Sequence, residues 1–201
     1  MIIKKEYIGI YGGTFDPIHI GHISCLLAIK NIKKIKKTFL IINKKSWYKK
    51  KQFFSFSDRI KMLKIALSEI STKKSDFFTI YQKNIYEKER EYTINIANYL
   101  QKKYKNKKIV IFIGLDSFIN IKNWYLGKKI VKNFEIFIFN RIGYKKNFYN
   151  FYEKKYEKIR IIKMYKNVSS SVIRKKIQKK KNYKKFLTPS IYKYIKKLLK
   201  K

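Results

Sequence analysis

Residues 7–22, Tyr-Ile-Gly-Ile-Tyr-Gly-Gly-Thr-Phe-Asp-Pro-Ile-His-Ile-Gly-His, constrain the fold of this chain more than any other stretch. Tyr7, Ile8 and Ile10 read as a buried parallel strand, Gly12 and Gly13 let a backbone approach a ligand closely, and Pro17 fixes a turn before a helix that begins near Gly21. A strand, a glycine turn and a helix N-terminus in that order make a phosphate site, because open N–H groups and the helix dipole both favour negative charge. His19 and His22 border that site. Their three-residue spacing can also make a zinc pair, but no third Cys, His or carboxylate is placed to complete it, so no protein-held metal is expected.

The rest of the chain alternates strands with helices. Ile20, Ile23, Leu26, Leu27 and Ile29 give the first helix, over residues 20–32, an apolar stripe, and Cys25 on it reads as a buried, inert thiol. Thr38 to Ile42 reads as a second strand, and residues 44–56, with Trp47, as either a ligand-side lid or a basic loop with aromatic anchors. Ser57 can cap the next helix, whose buried side draws on Ile60, Leu63, Ile65, Ala66, Leu67 and Ile70. Phe77 to Tyr81 is a short strand and Glu87 to Glu91 a charged loop. Tyr92-Thr93 opens a helix to about Lys103, with Thr93 either its cap or a ligand. Ile109 to Ile113 is an uninterrupted apolar strand ending in Gly114-Leu115-Asp116-Ser117, followed by Trp124-Tyr125. Strands at Glu135 to Phe139 and Ile159 to Met164 enclose a turn at Arg141 to Gly143 and a helix at Phe148 to Tyr156. Val168-Ser169-Ser170-Ser171 starts a helix that carries Arg174 one turn in, on the side that can face an anion. Thr188-Pro189 starts the last helix, with a stripe of Ile191, Tyr194, Ile195, Leu198 and Leu199. This alternation, over a length that suits one core, predicts a single α/β domain spanning residues 1–201.

The net charge of +39 would ordinarily point to a polyanionic partner. All but five of the 51 Lys and Arg residues are lysines, however, scattered over almost every segment, and Ile, Asn, Tyr and Phe are abundant too. That is the pattern of coding drift towards A and T rather than of a nucleic-acid surface, in which arginines would read bases. No RRM, helix-turn-helix or zinc-finger pattern is visible, so no specific nucleic acid is expected. The first five residues charge too quickly for a signal peptide and no apolar run approaches a membrane span, which predicts a cytoplasmic protein.

Gly-Gly-Thr-Phe-Asp-Pro-x-His-x-Gly-His resembles the nucleotidylyltransferase signature. Together with Gly114-x-Asp116-Ser117 followed by Trp124, and Val168 to Arg174, it resembles the bacterial nicotinate-nucleotide adenylyltransferases over nearly the whole chain. The departure is at residues 44–52, where the family commonly has a Pro-Pro-His-Lys-like loop and this chain has Ser-Trp-Tyr-Lys. The resemblance implies a Rossmann-like doubly wound parallel sheet flanked by helices. It also implies transfer of AMP from ATP, bound with Mg²⁺, to nicotinate mononucleotide, in a monomer or small homo-oligomer. By that likeness His19, His22 and Arg174 are catalytic, and Gly12, Gly13, Thr14, Phe15, Gly114, Asp116, Ser169 and Ser170 hold ATP with them. Tyr92, Thr93, Trp124 and Tyr125 hold the mononucleotide. Taken without the likeness, Trp124 can instead be a core or surface-anchoring aromatic, Asp116 a helix cap and Arg174 a solvated helix charge, while Asp16 reads as a turn-stabilising carboxylate rather than a metal ligand. The rival readings are phosphopantetheine or nicotinamide-mononucleotide adenylyltransfer, and a basic nucleic-acid-binding protein.

Overall fold

Short runs rich in Ile and Phe pair into one six-stranded parallel sheet in the computed structural model, which describes residues 6–43, 52–70, 76–81, 92–140, 158–164 and 168–200. The strands are β1 (Tyr7–Gly13), β2 (Ile35–Ile42), β3 (Phe78–Ile80), β4 (Lys108–Gly114), β5 (Glu135–Asn140) and β6 (Ile159–Lys163), in the order β3-β2-β1-β4-β5-β6. Register is fixed by pairs such as Tyr11 with Phe112 and Gly114 with Phe139. The order reverses direction at β1, between β2 and β4, and in open α/β sheets that is where ligands sit, beyond the carboxyl ends of the strands. The expected Rossmann-like α/β class holds.

The chain divides into two units, one of Met1–Gly12, Lys30–Ile41 and Asp76–Tyr165, the other of Gly13–Ile29, Ile42–Ser75 and Lys166–Lys201. The first is built on the sheet. Every second residue, Ile8 and Ile10 of β1, Phe39 and Ile41 of β2, Ile109, Ile111 and Ile113 of β4, and Ile136 and Ile138 of β5, points into one core. Against it pack α3 (Thr93–Lys103), through Ile94, Ile96, Ala97 and Leu100, and the short helices α4 (Leu115–Ile119) and α5 (Gly127–Asn133).

The second unit is helical: α1 (Ile20–Lys30), α2 (Phe56–Ile70), α6 (Ser170–Gln178) and α7 (Pro189–Leu198). Thr188 accepts from the Ile191 N–H with Pro189 in the first turn of α7, as its sequence predicts. The Tyr194 hydroxyl of α7 donates to Asp58 of α2 at 2.8 Å. Burial, then the hydrogen bond and charge of Asp58, push the Tyr194 phenol up to about 12.

Several boundaries differ from the sequence reading. β2 starts at Ile35 rather than Thr38, since Ile35 is buried while the lysines at 36 and 37 mask the run in sequence. Leu27 is exposed, leaving Ile23, Leu26 and Ile29 as the buried stripe of α1, and Cys25 is only half-buried. The buried side of α2 is Arg59, Met62, Leu63 and Ala66. Its cap is Ser55 rather than Ser57: the Ser55 hydroxyl accepts from the Asp58 N–H at 3.1 Å and donates to the Asp58 carboxylate at 2.5 Å. Thr93 is the first helical residue of α3; Tyr92 precedes it and supplies only its carbonyl, which accepts from Asn95 and Ile96. α4 and α5 lie between the Gly114 strand end and β5, a stretch to which the sequence reading assigns no element. The loop at 44–51 with Trp47, the loop at 87–91, the turn at 141–143 and the helix at 148–156 lie outside the described residues.

Candidate active site

In the second unit the signature turn is tied down from four directions. Phe15 adopts φ 48°, a left-handed backbone rare for a bulky residue, and its ring is buried so close below Gly13 that a Cβ there would stand 2.9 Å from it. Asp16, 1% exposed, accepts from the backbone N–H groups of Phe53 (3.0 Å) and Phe54 (2.9 Å), which makes it the turn-stabilising carboxylate. From α6, the Arg174 guanidinium donates to the Asp16 carbonyl at 2.5 Å and stands 3.7 Å from its carboxylate, while the Ser170 hydroxyl donates to the Pro17 carbonyl at 3.0 Å. Arg174 is therefore no solvated helix charge: its side chain is 14% exposed.

His19 is almost wholly buried, and its Nδ1 accepts from the N–H groups of Gly21 (3.1 Å) and His22 (3.4 Å). The imidazole thus caps α1, and an accepting Nδ1 places the proton of neutral His19 on Nε2. Gly21 eases this approach, since a Cβ there would lie 3.0 Å from the ring. This corrects the sequence expectation that the first N–H groups of α1 lie open for phosphate; two of them serve His19. The His22 ring stacks on His19 at 3.8 Å and meets the edge of Phe15 at 5.0 Å. Ser169 caps α6, accepting from Val172 at 3.4 Å, so its hydroxyl is engaged before any ligand arrives.

Arg59 escapes a reading based on motifs. Its guanidinium, 1% exposed, donates from one Nη to the carbonyls of Thr14 and Asn43, each at 2.8 Å. Burial lowers its proton affinity, and the Asp16 charge opposes that. The signal that could have found it is compositional: it is one of five arginines in a chain that otherwise uses lysine.

In the first unit, β4 ends at Gly114, over which the Asp116 carboxylate folds back; a Cβ at Gly114 would lie 2.7 Å from it. Asp116 sits exposed in the first turn of α4, an acceptor at the carboxyl end of a central strand. Gly12, at the end of β1, is exposed with nothing within 4 Å of a Cβ placed on it, which leaves room for a ligand. Trp124 is half-buried against the core, and the turn that follows it is held by Leu126 at φ 51° and by Gly127, where a Cβ would collide with the Ile121 carbonyl at 1.8 Å. Tyr92 and Tyr125 stack at 4.3 Å, with Tyr125 52% exposed. Thr93 lies next to this pair in sequence, as the first residue of α3.

The family model described as Cytidylyltransferase-like matches residues 10–176. Among curated proteins, the "Probable nicotinate-nucleotide adenylyltransferase" of Vesicomyosocius okutanii is 33% identical, with 94% of each chain covered. That of Pelagibacter ubique is 34% identical over 71% of this chain and 75% of its own. Among solved structures, the Plasmodium falciparum nicotinic acid mononucleotide adenylyltransferase complexed with NaAD superposes with a TM-score of 0.82 at 25% identity, covering 96% of both chains.

Proposed function

The chain belongs to the cytidylyltransferase-like family and, within it, to the nicotinate-nucleotide adenylyltransferases, and from that premise we propose that it transfers AMP from ATP to nicotinate mononucleotide, giving deamido-NAD and pyrophosphate. A 5′-phosphate oxygen of the mononucleotide attacks the α-phosphorus of ATP; a P–O bond forms there as the bond to the β-phosphate oxygen breaks. The attacking phosphate is already an anion, so no base and no covalent intermediate are needed. Catalysis rests on positioning and on stabilising charge.

The observation that carries this reading is the fixed histidine pair: His19 locked by two amides, and His22 stacked on it. Imidazoles held in that way present N–H groups to developing phosphate charge with no reorganisation at the moment of reaction. In the second unit, Thr14, Phe15, His19, His22, Ser169, Ser170 and Arg174 take the triphosphate, with Gly13 giving backbone access. Arg174 also braces the turn through Asp16, and the Ser169 hydroxyl acts through the first turn of α6. In the first unit, Gly12, Gly114 and Asp116 take the nucleoside side of ATP, the Asp116 carboxylate accepting from ribose hydroxyls. Trp124, Tyr92, Thr93 and Tyr125 take the pyridine ring and its carboxylate.

Mg²⁺ bound with ATP would supply charge neutralisation on the departing pyrophosphate. The donor set suits a metal carried by the phosphates, since both Asp16 oxygens already accept N–H bonds and no three His, Cys, Asp or Glu side chains gather among the described residues. No described helix is long and apolar enough to cross a membrane. We place the enzyme in the cytoplasm, as one domain over residues 1–201, without a specific nucleic-acid or membrane partner, and as a monomer or small homo-oligomer.

The test offers ATP and Mg²⁺ with nicotinate mononucleotide, nicotinamide mononucleotide or phosphopantetheine in turn, reading pyrophosphate and the dinucleotide product. Deamido-NAD formed at the highest kcat/KM is the expected result; preference for the amide or for phosphopantetheine would overturn the acceptor assignment.

A further inference from the structure

We infer that Arg59 is a positioning residue for ATP: it sets the Thr14 backbone from below and supplies a buried positive charge beneath the phosphate-facing turn. This rests on the ATP use proposed above. Parallel strands leave carbonyls unpaired where their ladder ends, and these must find donors if buried. The chain leaves β1 at Thr14 and β2 at Asn43, the Asn43 N–H donates to the Gly13 carbonyl at 3.0 Å, and one Arg59 nitrogen bonds both Thr14 and Asn43 at 2.8 Å. Arg59 therefore joins the exits of two strands at the residue that precedes the strained Phe15. Its Cζ lies over the Phe56 ring, 5.4 Å from its centre, a cation–π contact that helps hold the guanidinium in place.

The residue type carries the charge half of the inference. A buried lysine readily loses its proton, whereas arginine starts from so high a value that it remains charged when burial lowers it. In a chain with only five arginines among its 51 Lys and Arg residues, an arginine is kept where a cation is almost fully removed from water. Salt screens buried charges far less than exposed ones, so Arg59 acts on a bound polyphosphate where the surface lysines are muted.

The experiment compares wild type with Arg59→Lys, and with Lys61→Met as a control that removes an exposed cation from the same helix. Calorimetric titration with ATP, steady-state kinetics for both substrates and a thermal melt are measured on each. The expected result is a folded Arg59→Lys with ATP Kd raised about tenfold or more, which is about 1.4 kcal/mol, a lower kcat, and an unchanged KM for nicotinate mononucleotide; Lys61→Met matches wild type. A purely structural residue would instead lower Tm while leaving Kd and both KM values of the folded fraction unmoved, and that outcome overturns the inference. So does failure of Arg59→Lys to fold, or absence of ATP binding by wild type. Wild type that binds ATP but makes no deamido-NAD would remove only the acceptor assignment, and Arg59 would still be judged on its Kd ratio.

Discussion

His19 and His22 stack on one another, yet their bonds give them different work. His19 caps α1, and losing a cap is worth about 1 kcal/mol, so His19→Ala should lower Tm by about 2–4 °C besides reducing turnover. His22 stacks on His19 and meets the edge of Phe15 rather than closing the start of α1, so His22→Ala should lower Tm less while cutting kcat/KM by more than about tenfold, or about 1.4 kcal/mol. Melts and kinetics on the two variants check the division, and equal Tm losses would remove it. Trp124 combines the two parts its sequence leaves open, packing on the core while projecting from a turn that Gly127 alone permits. Trp124→Ala should therefore raise the KM for nicotinate mononucleotide about tenfold with little change for ATP, and also lower Tm by a few degrees; Trp124→Phe should restore part of both. An unchanged mononucleotide KM would take Trp124 out of the site. The signature residues were legible because their spacing is tied to one backbone path. Arg59 was not, because a side chain that serves carbonyls distant in sequence leaves no local pattern.

At the level of elements, β1, β4 and β5 could be read directly, since long Ile-rich runs bury both faces of a parallel strand. α4 and α5 could not: they are five and seven residues long, too short to show a helical period, and depend on packing against the sheet. α2 was legible as a helix but not in its face, because its core side is shared by Arg59 and Met62 rather than carried by its isoleucines. The link from α2 to α7 gives a pH prediction. The Tyr194 phenol has its folded-state affinity for the proton raised, to about 12, above the ordinary tyrosine value of about 10. Its stabilising effect is therefore complete below about pH 10 and is lost as pH rises through 12. Wild type should melt above Tyr194→Phe at neutral pH, with the gap closing between pH 10 and 12; lysine titration is common to both proteins and cancels in the difference. A gap that persists at pH 12 would refute the Asp58 bond as its source.

For the whole molecule, the parallel direction of the sheet followed from the alternation of elements, whereas the strand order and the division into two units did not, because each unit gathers three separate stretches of chain. The net charge of +39 belongs to this scale as well. Random RNA should bind weakly, without sequence preference and with steep salt dependence, and replacing exposed lysines remote from the site should leave adenylyl transfer unchanged; filter binding across a salt series reads this out. Nanomolar, sequence-selective binding at physiological salt would instead give the basic surface a function. The central place of β1 has a consequence during synthesis. Tyr7 pairs with Lys108, so β1, once it has left the ribosome, must wait for about a hundred further residues before its neighbour β4 exists. At roughly 5–20 residues per second that is about 5–20 s with an Ile-rich strand edge unpaired. For that interval the nascent chain depends on local helices, or on a chaperone, to keep β1 from pairing with the wrong partner.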